Sequence, residues 1–233
     1  MTSAGRSVFW EGVRDGTPFI FMVGPFALLF GVVATELGLS LWETLSFSTL
    51  VIAGAAQFAT LELLDAGAPL TVAVATGLAV NLRMALYSLS LVPYFGRAPL
   101  AHRAWLAYAL VDQVYALALL RFQGREESQA DRLAYYAGAA APICGIWILA
   151  CALGALAQST VASVPGLDFA VPLTFLAMVT PMLKDRPSLA AALVAAILAV
   201  SARALPFNTG MLLAAAGGMV TGAILEAWGD RHE

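Results

Sequence analysis

Long stretches without any charged side chain are the feature that most restricts what this chain can fold into. No Asp, Glu, Lys or Arg occurs in residues 16–35, 44–61, 66–82, 133–167, 169–183, 187–202 or 204–225. A helix needs about 20 mostly apolar residues to span a hydrocarbon core, and several of these runs reach that length. Backbone groups in lipid must be paired within their own segment, so the runs are predicted to be helices.

The composition of the chain excludes an ordinary soluble fold. Hydrophobic residues make up 61% of the 233 residues and charged residues 12%, whereas a soluble domain carries about 25% charged residues. The runs also lack the alternation of polar and apolar residues that is typical of outer-membrane strands. We therefore expect a multi-pass, all-α integral membrane protein of the inner or plasma membrane, without a removable signal peptide and without a nucleic-acid partner.

The pattern of apolar runs and turn residues predicts eight transmembrane or partly re-entrant helices. They cover residues 17–38, 44–64, 69–92, 105–121, 133–157, 168–183, 188–205 and 209–228. Residues 1–16 are predicted to form a cytoplasmic N-terminal segment, 17–228 a single transmembrane domain and 229–233 a C-terminal tail. Pro69 and Arg83 have counterparts in Pro187 and Arg203, which indicates a possible duplication with repeats 17–121 and 133–228.

The distribution of Lys and Arg between the loops predicts that both termini are cytoplasmic. If all eight segments cross, three loop cations lie outside and eight inside. The outer cations are Arg97, Arg103 and Arg203; the inner ones are Arg6, Arg14, Arg121, Arg125, Arg132, Lys184, Arg186 and Arg231.

Two of the predicted segments look interrupted. The second contains the small residues 53–56, followed by Gln57, and the sixth holds Pro172 and Pro181 within 16 residues. Broken hydrophobic segments often mark the substrate site of a transporter. Whether these two segments cross fully or are re-entrant stays open at this stage.

Charged side chains inside the bilayer are costly and are therefore candidates for function. Arg83 lies within the third segment and could hold a carboxylate in a bidentate fork. Asp112 is the acidic residue that lies well inside a segment, and it could bind an ammonium group or carry a proton. Alternatively, the two residues form an ion pair that only fixes helix packing. The candidate substrate-binding residues are Gln57, Asn81, Arg83, Tyr87, Asp112 and Gln113.

Weaker signals come from several other positions. Asp168 and Thr174 could be structural or lie at the edge of a site, and Asp168 is also a natural helix cap. Phe30, Phe58 and Phe175 could line an apolar pocket. A ridge of small residues, formed by Ala214, Gly218 and Gly222, indicates a helix-packing face. The two histidines, His102 and His232, lie outside the segments, and no enzyme motif occurs. We therefore predict no metal, no cofactor and no enzymatic activity.

Three stretches together resemble the AzlC family, the large subunits of branched-chain amino acid exporters, and the resemblance covers about residues 16–228. They are Ala53-Gly54-Ala55-Ala56-Gln57-Phe58, Asn81-Leu82-Arg83-Met84-Ala85-Leu86-Tyr87-Ser88 and Leu167-Asp168-Phe169-Ala170-Val171-Pro172-Leu173-Thr174-Phe175. The chain departs from the family pattern at Met84, where a His often follows the Arg, and at Gln113, where a Glu often follows the Asp.

The resemblance implies a secondary transporter that exports leucine, isoleucine, valine or methionine and is driven by protons. It also implies a small hydrophobic membrane partner of the AzlD type. Three alternatives stay open: a non-transporting scaffold or regulatory subunit, a channel, and an intramembrane enzyme. A scaffold predicts that Gln57, Arg83 and Asp112 do not converge on a cavity, and a channel predicts a continuous polar pore.

Overall fold

A computed structural model describes residues 3–161, 176, 183, 185–203, 205 and 209–229, and the regular structure in these ranges is entirely helical. This confirms the predicted all-α class. The helices are α1 Ser3–Gly16, α2 Ile20–Glu36, α3 Leu41–Leu50, α4 Gly54–Asp65, α5 Leu70–Phe95, α6 Leu100–Tyr108, α7 Asp112–Phe122, α8 Gln129–Val161, α9 Arg186–Ser201 and α10 Thr209–Gly229.

Within the described ranges, three helices are long and apolar enough to cross a membrane. They are Arg6–Glu36, Leu70–Phe95 and Gln129–Ala157. The predicted third, fifth, seventh and eighth segments correspond to α5, α8, α9 and α10, with ends that differ by a few residues. The sixth predicted segment, with Asp168, Thr174 and Phe175, lies outside the described residues apart from Leu176 and Leu183.

The first helical region begins earlier than predicted. Residues 3–16 form α1, and a 3-10 turn, Thr17–Phe19, connects α1 to α2. The charges of α1 resemble those of a loop, but two of its acidic side chains have partners in the fold. Arg121 donates to Glu11 at 2.9 Å, and the Tyr135 hydroxyl donates to Asp15 at 2.8 Å. These bonds attach α1 to α7 and α8.

The predicted interruption of the second segment is confirmed. Helix α3 ends at Leu50 and α4 begins at Gly54, so residues 51–53 form the break. The start of α3 is fixed by a capping box: the Ser40 hydroxyl accepts from the Glu43 N–H, and the Glu43 carboxylate accepts from the Ser40 N–H. We call residues 51–53 the first interruption.

The prediction of one continuous helix over residues 105–121 was wrong. Helix α6 ends at Tyr108 and α7 begins at Asp112, so residues 109–111 form a second interruption. Val111 is extended, with φ −119° and ψ 161°. Extended backbone suits a β-branched residue, and a carboxylate favours the first turn of a helix. Asp112 therefore begins a helix instead of lying in the middle of one.

The chain divides into two compact units, and the first comprises Met1–Phe58 and Gly77–Val164. Its centre is α8, which packs along α1 and α2. Glycines allow the close approach: a Cβ on Gly31 would collide with the Cys151 carbonyl oxygen, and one on Gly154 with that of Leu28. Nearer the N-terminus, Gly138 packs in the same way against Phe9.

Helices α1 and α2 run parallel to α8. Residue numbers rise together on both sides of the contact, from Phe9–Gly138 to Gly31–Cys151. In an eight-segment topology the first and fifth segments cross in the same direction, and parallel packing is what that topology requires. Parallel packing also requires an odd number of membrane crossings between these two segments. This contact does not test the possible duplication of residues 17–121 and 133–228, which stays a prediction.

The second unit comprises Ala59–Thr76 and Pro165–Glu233. Leu63, Ala68 and Ala73 form a small core where α4 ends and α5 begins. Helices α9 and α10 pack against each other, and a Cβ on Gly218 would lie 3.0 Å from the Ala195 side chain. The small-residue ridge of α10 is therefore a helix-packing face, as predicted.

Candidate functional site

The two interruptions of the first unit lie close together. Tyr108, the last residue of α6, donates a hydrogen bond of 2.8 Å from its hydroxyl to the carbonyl oxygen of Thr49 near the end of α3. Non-helical backbone is tolerated at membrane depth where it is buried in protein or lines a cavity. Discontinuous helices of this kind commonly build the binding site of a secondary transporter.

Arg83 and Asp112 form an ion pair beside the second interruption. The distance between Arg83 Nη1 and Asp112 Oδ2 is 3.0 Å, and the side chains are 28% and 36% exposed. Asp112 is the first residue of α7, where the positive end of the helix dipole also favours a carboxylate. Each charge therefore has a partner, which lowers the cost of keeping both of them within a membrane segment.

Arg83 and Asp112 make one contact with each other, and each side chain has a further polar atom that this contact does not use. Arg83 Nε and Asp112 Oδ1 are buried and lack hydrogen-bond partners in the part of the chain that the structure describes. A guanidinium and a carboxylate can form two parallel bonds, but here they form one. The Asp112 carboxylate also interacts with the Tyr87 phenol, so Arg83 Nε is the atom of the pair that is left for a further group.

A ladder of hydroxyl groups extends from the ion pair along α5 and α7. Tyr87, one turn after Arg83, stacks on Tyr115 with ring centroids 4.1 Å apart and an angle of 6°. The Tyr87 phenol also interacts with the Asp112 carboxylate, and Ser90 Oγ lies 2.9 Å from the Tyr115 hydroxyl. Sequence reasoning identified Tyr87 but missed Ser90 and Tyr115. Their helical spacing from Arg83 and Asp112 is the signal that could have identified them.

Gln57 occupies a different environment in the first turn of α4. Its side chain is fully buried, and its Nε2 and Oε1 atoms lack hydrogen-bond partners among the described residues. Four aromatic rings pack together next to this turn; we call them the aromatic cluster, and they belong to Phe26, Phe30, Phe58 and Trp147. The Phe26–Phe58 and Phe30–Phe58 centroids are 4.9 and 5.6 Å apart, and the Phe26–Trp147 centroids 5.9 Å.

Gly54 is the residue that allows the aromatic cluster to touch the start of α4. A Cβ at this position would collide with the Phe26 ring and lie 2.6 Å from the Trp147 ring. Trp147 was not identified from the sequence, because nothing local distinguishes it from a lipid-facing tryptophan. Phe30 and Phe58 pack against each other in this cluster, and the apolar pocket that they were expected to line stays a prediction.

The remaining sequence candidates are separate from the ion pair. Asn81 lies two residues before Arg83, about 200° around the helix, and therefore faces another side of α5. Its Oδ1 atom is buried and unpartnered within the described part of the chain. Gln113 follows Asp112 and is half-buried. The structure thus joins Arg83, Tyr87 and Asp112, while a cavity shared with Gln57 and Asn81 stays a prediction.

An apolar cavity of about 340 Å³ adjoins the second interruption. It is bounded by α5, α6 and α8 and reaches Leu110 within the interruption. Most of its walls are aliphatic or aromatic, and Arg103 supplies a cation at one side. The lining residues are Ser88, Leu91, Val92, Phe95, Gly96, Arg103, Leu106, Ala107, Leu110 and Tyr136.

Comparisons with known proteins agree with this architecture. The model of the AzlC protein family matches residues 18–161. The inner membrane protein YgaZ of Escherichia coli is 30% identical over 96% of this chain and 93% of its own length. An uncharacterized membrane protein of Archaeoglobus fulgidus is 29% identical over 98% of this chain and 99% of its own. No solved structure matches significantly. The chain is a multi-pass membrane protein and belongs to the AzlC family.

Proposed function

We propose that this chain is the large subunit of a proton-coupled secondary transporter that exports branched-chain or similar apolar amino acids. A small hydrophobic subunit of the AzlD type completes the exporter in this proposal. The observation that carries it is the Arg83–Asp112 ion pair at the start of α7, next to two helix interruptions that are joined by Tyr108 and Thr49. Membership of a family associated with transport supports the same conclusion.

Asp112 is the group that carries the proton in this proposal. A carboxyl can lose and regain a proton as its exposure to water changes, whereas a guanidinium does not deprotonate in proteins. Arg83 is the counter-ion of the Asp112 carboxylate in the structure. Protonation of Asp112 releases Arg83, and this change in pairing is a means of coupling proton entry to a change in helix position.

Apolar cargo is supported by the surroundings of the interruptions. The first interruption is covered by the aromatic cluster, and the second adjoins the largely apolar cavity. Among the described residues, the aromatic cluster has no charged side chain, and in the cavity only Ser88, Arg103 and Tyr136 carry polar atoms on their side chains. A leucine, isoleucine, valine or methionine side chain suits such walls, because transfer of each CH₂ group from water is favourable by about 0.8 kcal/mol.

Transport by membrane vesicles tests this proposal directly. Vesicles containing the chain together with its co-encoded small partner are loaded with radiolabelled leucine, and efflux is followed with and without a proton gradient. We expect gradient-dependent efflux that is lost when the partner is omitted. Efflux that is the same in vesicles without the chain would contradict a transport role and would favour a scaffold or regulatory subunit.

A further inference from the structure

Helices α5 and α7 pack side by side and run in the same direction. Residue numbers rise together along their contact, from Arg83–Asp112, at 3.0 Å, to Phe95–Phe122, whose ring centroids are 5.4 Å apart. Two helices that cross a membrane in succession run in opposite directions. The predicted segment 105–121 therefore does not cross the membrane after α5, because α7, its larger part, runs in the direction of α5.

Helix α6 carries the chain back between α5 and α7. It begins after a loop of four residues, 96–99, and its nine residues rise by about 14 Å. Asp112 then lies beside Arg83, which is about 18 Å from the end of α5 at Phe95 by helical rise. The eleven residues of α7 return to the level of Phe95. A hydrocarbon core is about 30 Å thick, so residues 109–111 lie near its middle.

Both ends of this hairpin lie at the level where α1 and α8 begin. Arg132, in the first turn of α8, lies over the Tyr94 ring near the end of α5, 5.3 Å from its centroid. Arg121, near the end of α7, donates to Glu11 of α1. All of these residues belong to the first unit. The loops before α6 and after α7 are therefore on one side of the membrane, the side of the N-terminus.

Helix α3 reaches the same depth from the opposite side. Helix α2 runs parallel to α8 and ends at Glu36, and α3 then turns back, with the Phe47 ring against Phe30 at 5.8 Å. The ten residues of α3 rise by about 15 Å, so α3 and α6 together match the core thickness of about 30 Å. The hydrogen bond from Tyr108 to Thr49 thus joins two half-helices that enter from opposite sides.

The apolar cavity beside α6 follows the hairpin from its surface end to its tip. Gly96 and Arg103 line it at the surface end, and Ser88 and Leu110 line it near the second interruption. Ser88 and Gly96 are about 12 Å apart along α5 by helical rise, and Arg103 is exposed. The cavity therefore opens on the side where α1 and α8 begin and ends close to the start of α7.

The lining of the cavity matches a molecule with a carboxylate and an aliphatic body. Arg103 has no ion-pair partner among the described residues, and no Asp or Glu occurs between residues 66 and 111. A guanidinium can bind a carboxylate through two parallel hydrogen bonds. Leu91, Val92 and Leu106 supply aliphatic walls, and a volume of about 340 Å³ lies in the range of small-molecule sites.

We infer that α6 and α7 form a re-entrant hairpin, and that the cavity beside α6 is the cytoplasmic entry site of the exported amino acid. The carboxylate of the amino acid binds Arg103 at the mouth, and its aliphatic side chain lies deeper, toward Leu110. The entry role rests on the proposed transport function, whereas the hairpin rests on helix packing alone. Arg97 and Arg103, which eight crossings would place outside, then lie inside, where cations are preferred.

Accessibility of single cysteines from the two sides of the membrane tests the hairpin. The full chain is produced with its small partner, and both native cysteines, Cys144 and Cys151, are replaced by alanine. One cysteine is then introduced at a time: His102→Cys at the start of α6, Arg125→Cys after α7 and Glu36→Cys at the end of α2, all at exposed positions. An impermeant maleimide is applied to intact cells and to inside-out vesicles.

His102→Cys is expected to react in the same preparation as Arg125→Cys, the inside-out vesicles, whereas Glu36→Cys reacts in intact cells. Eight crossings predict instead that His102→Cys reacts together with Glu36→Cys. That result, or the absence of a reaction of His102→Cys in the preparation that labels Arg125→Cys, would overturn the hairpin. If the shared preparation is intact cells, the cavity faces outward and the cytoplasmic entry role is wrong.

Protection by substrate tests the entry role. Ser88→Cys places a thiol in the cavity wall, and Arg125→Cys, outside the cavity, is the control. In inside-out vesicles, L-leucine at about ten times its dissociation constant should slow the reaction of Ser88→Cys with a small methanethiosulfonate about tenfold and leave the control unchanged. L-leucinamide, which lacks the carboxylate, should protect less. Equal protection by both compounds would contradict the contact with Arg103.

The hairpin, the entry role and the proposed function fail in different ways. Equal rates for Ser88→Cys with and without leucine, in vesicles that exchange leucine, would overturn the entry role and leave the hairpin intact. If the vesicles do not exchange leucine, the proposed function fails and the entry role fails with it. The labelling of His102→Cys decides the hairpin in either case.

Discussion

At both interruptions of the first unit one helix ends and the next begins after three residues, but the residues that begin the next helix differ in their chemistry. The helix that follows the first one begins with small neutral residues and a fully buried amide, covered by aromatic rings. The helix that follows the second begins with a carboxylate, paired with Arg83 and about one-third exposed. The first turn of α4 is neutral and enclosed, whereas the ion pair is charged and partly exposed, which suits the change of protonation proposed for Asp112. A break in a helix can therefore enclose a neutral turn or present a charged one, depending on the residues that begin the next helix.

The largest expected effect comes from breaking the charged site. Arg83→Met leaves the Asp112 carboxylate without its counter-ion, and an unpaired charge at membrane depth costs about 3 kcal/mol or more. The free energy of unfolding in mixed micelles should fall by that amount. The double variant Arg83→Met/Asp112→Asn should recover most of the loss, since no charge then remains. A single variant as stable as the parent would show that the pair contributes nothing to the fold.

A smaller loss is expected where the neutral site is crowded. Gly54→Ala places a Cβ against the Phe26 and Trp147 rings, and overpacking of this kind costs about 1–3 kcal/mol. The measurement is again the free energy of unfolding. Gly145→Ala in α8 is the matched control, because a Cβ there meets no described atom within 4 Å. It should be neutral or slightly stabilising. Equal effects of the two variants would argue against close packing at Gly54.

The smallest effect is expected at the contact that joins the two interruptions. Tyr108→Phe removes the hydrogen bond to the Thr49 carbonyl and should lower stability by about 1 kcal/mol. Tyr94→Phe is the control, since the Tyr94 hydroxyl has no hydrogen-bond partner among the residues that the structure describes. If Tyr108→Phe behaves like the control, the bond does not hold the interruptions together.

Sequence reasoning predicted the features that depend on local composition. Runs without charges gave the membrane helices, and the small residues around Gly54 indicated the first interruption. An ion pair between Arg83 and Asp112 was one of the two interpretations of these charges, because a charge is costly in lipid without a partner. The Gln57 position was identified, but its full burial was not, because burial depends on aromatic residues that lie far away in the sequence.

The features that were missed depend on contacts over long distances in sequence. The second interruption contains no glycine or proline, and its residues, Ala109, Leu110 and Val111, suit a helix as well as a break. The helix α1 was read as a polar segment because its acidic residues have partners in α7 and α8 that the sequence does not indicate. Tyr115 and Trp147 likewise acquire a role only through packing against other helices.

Uphill transport by the Asp112→Asn variant tests the proposed proton-carrier role of Asp112 most directly. This substitution keeps the shape of the side chain and removes its titration. In vesicles with an imposed pH gradient, we predict that it fails to concentrate leucine but retains downhill exchange. If Asp112→Asn concentrates leucine against a gradient as well as the parent protein does, Asp112 is not the proton carrier and the ion pair serves packing alone.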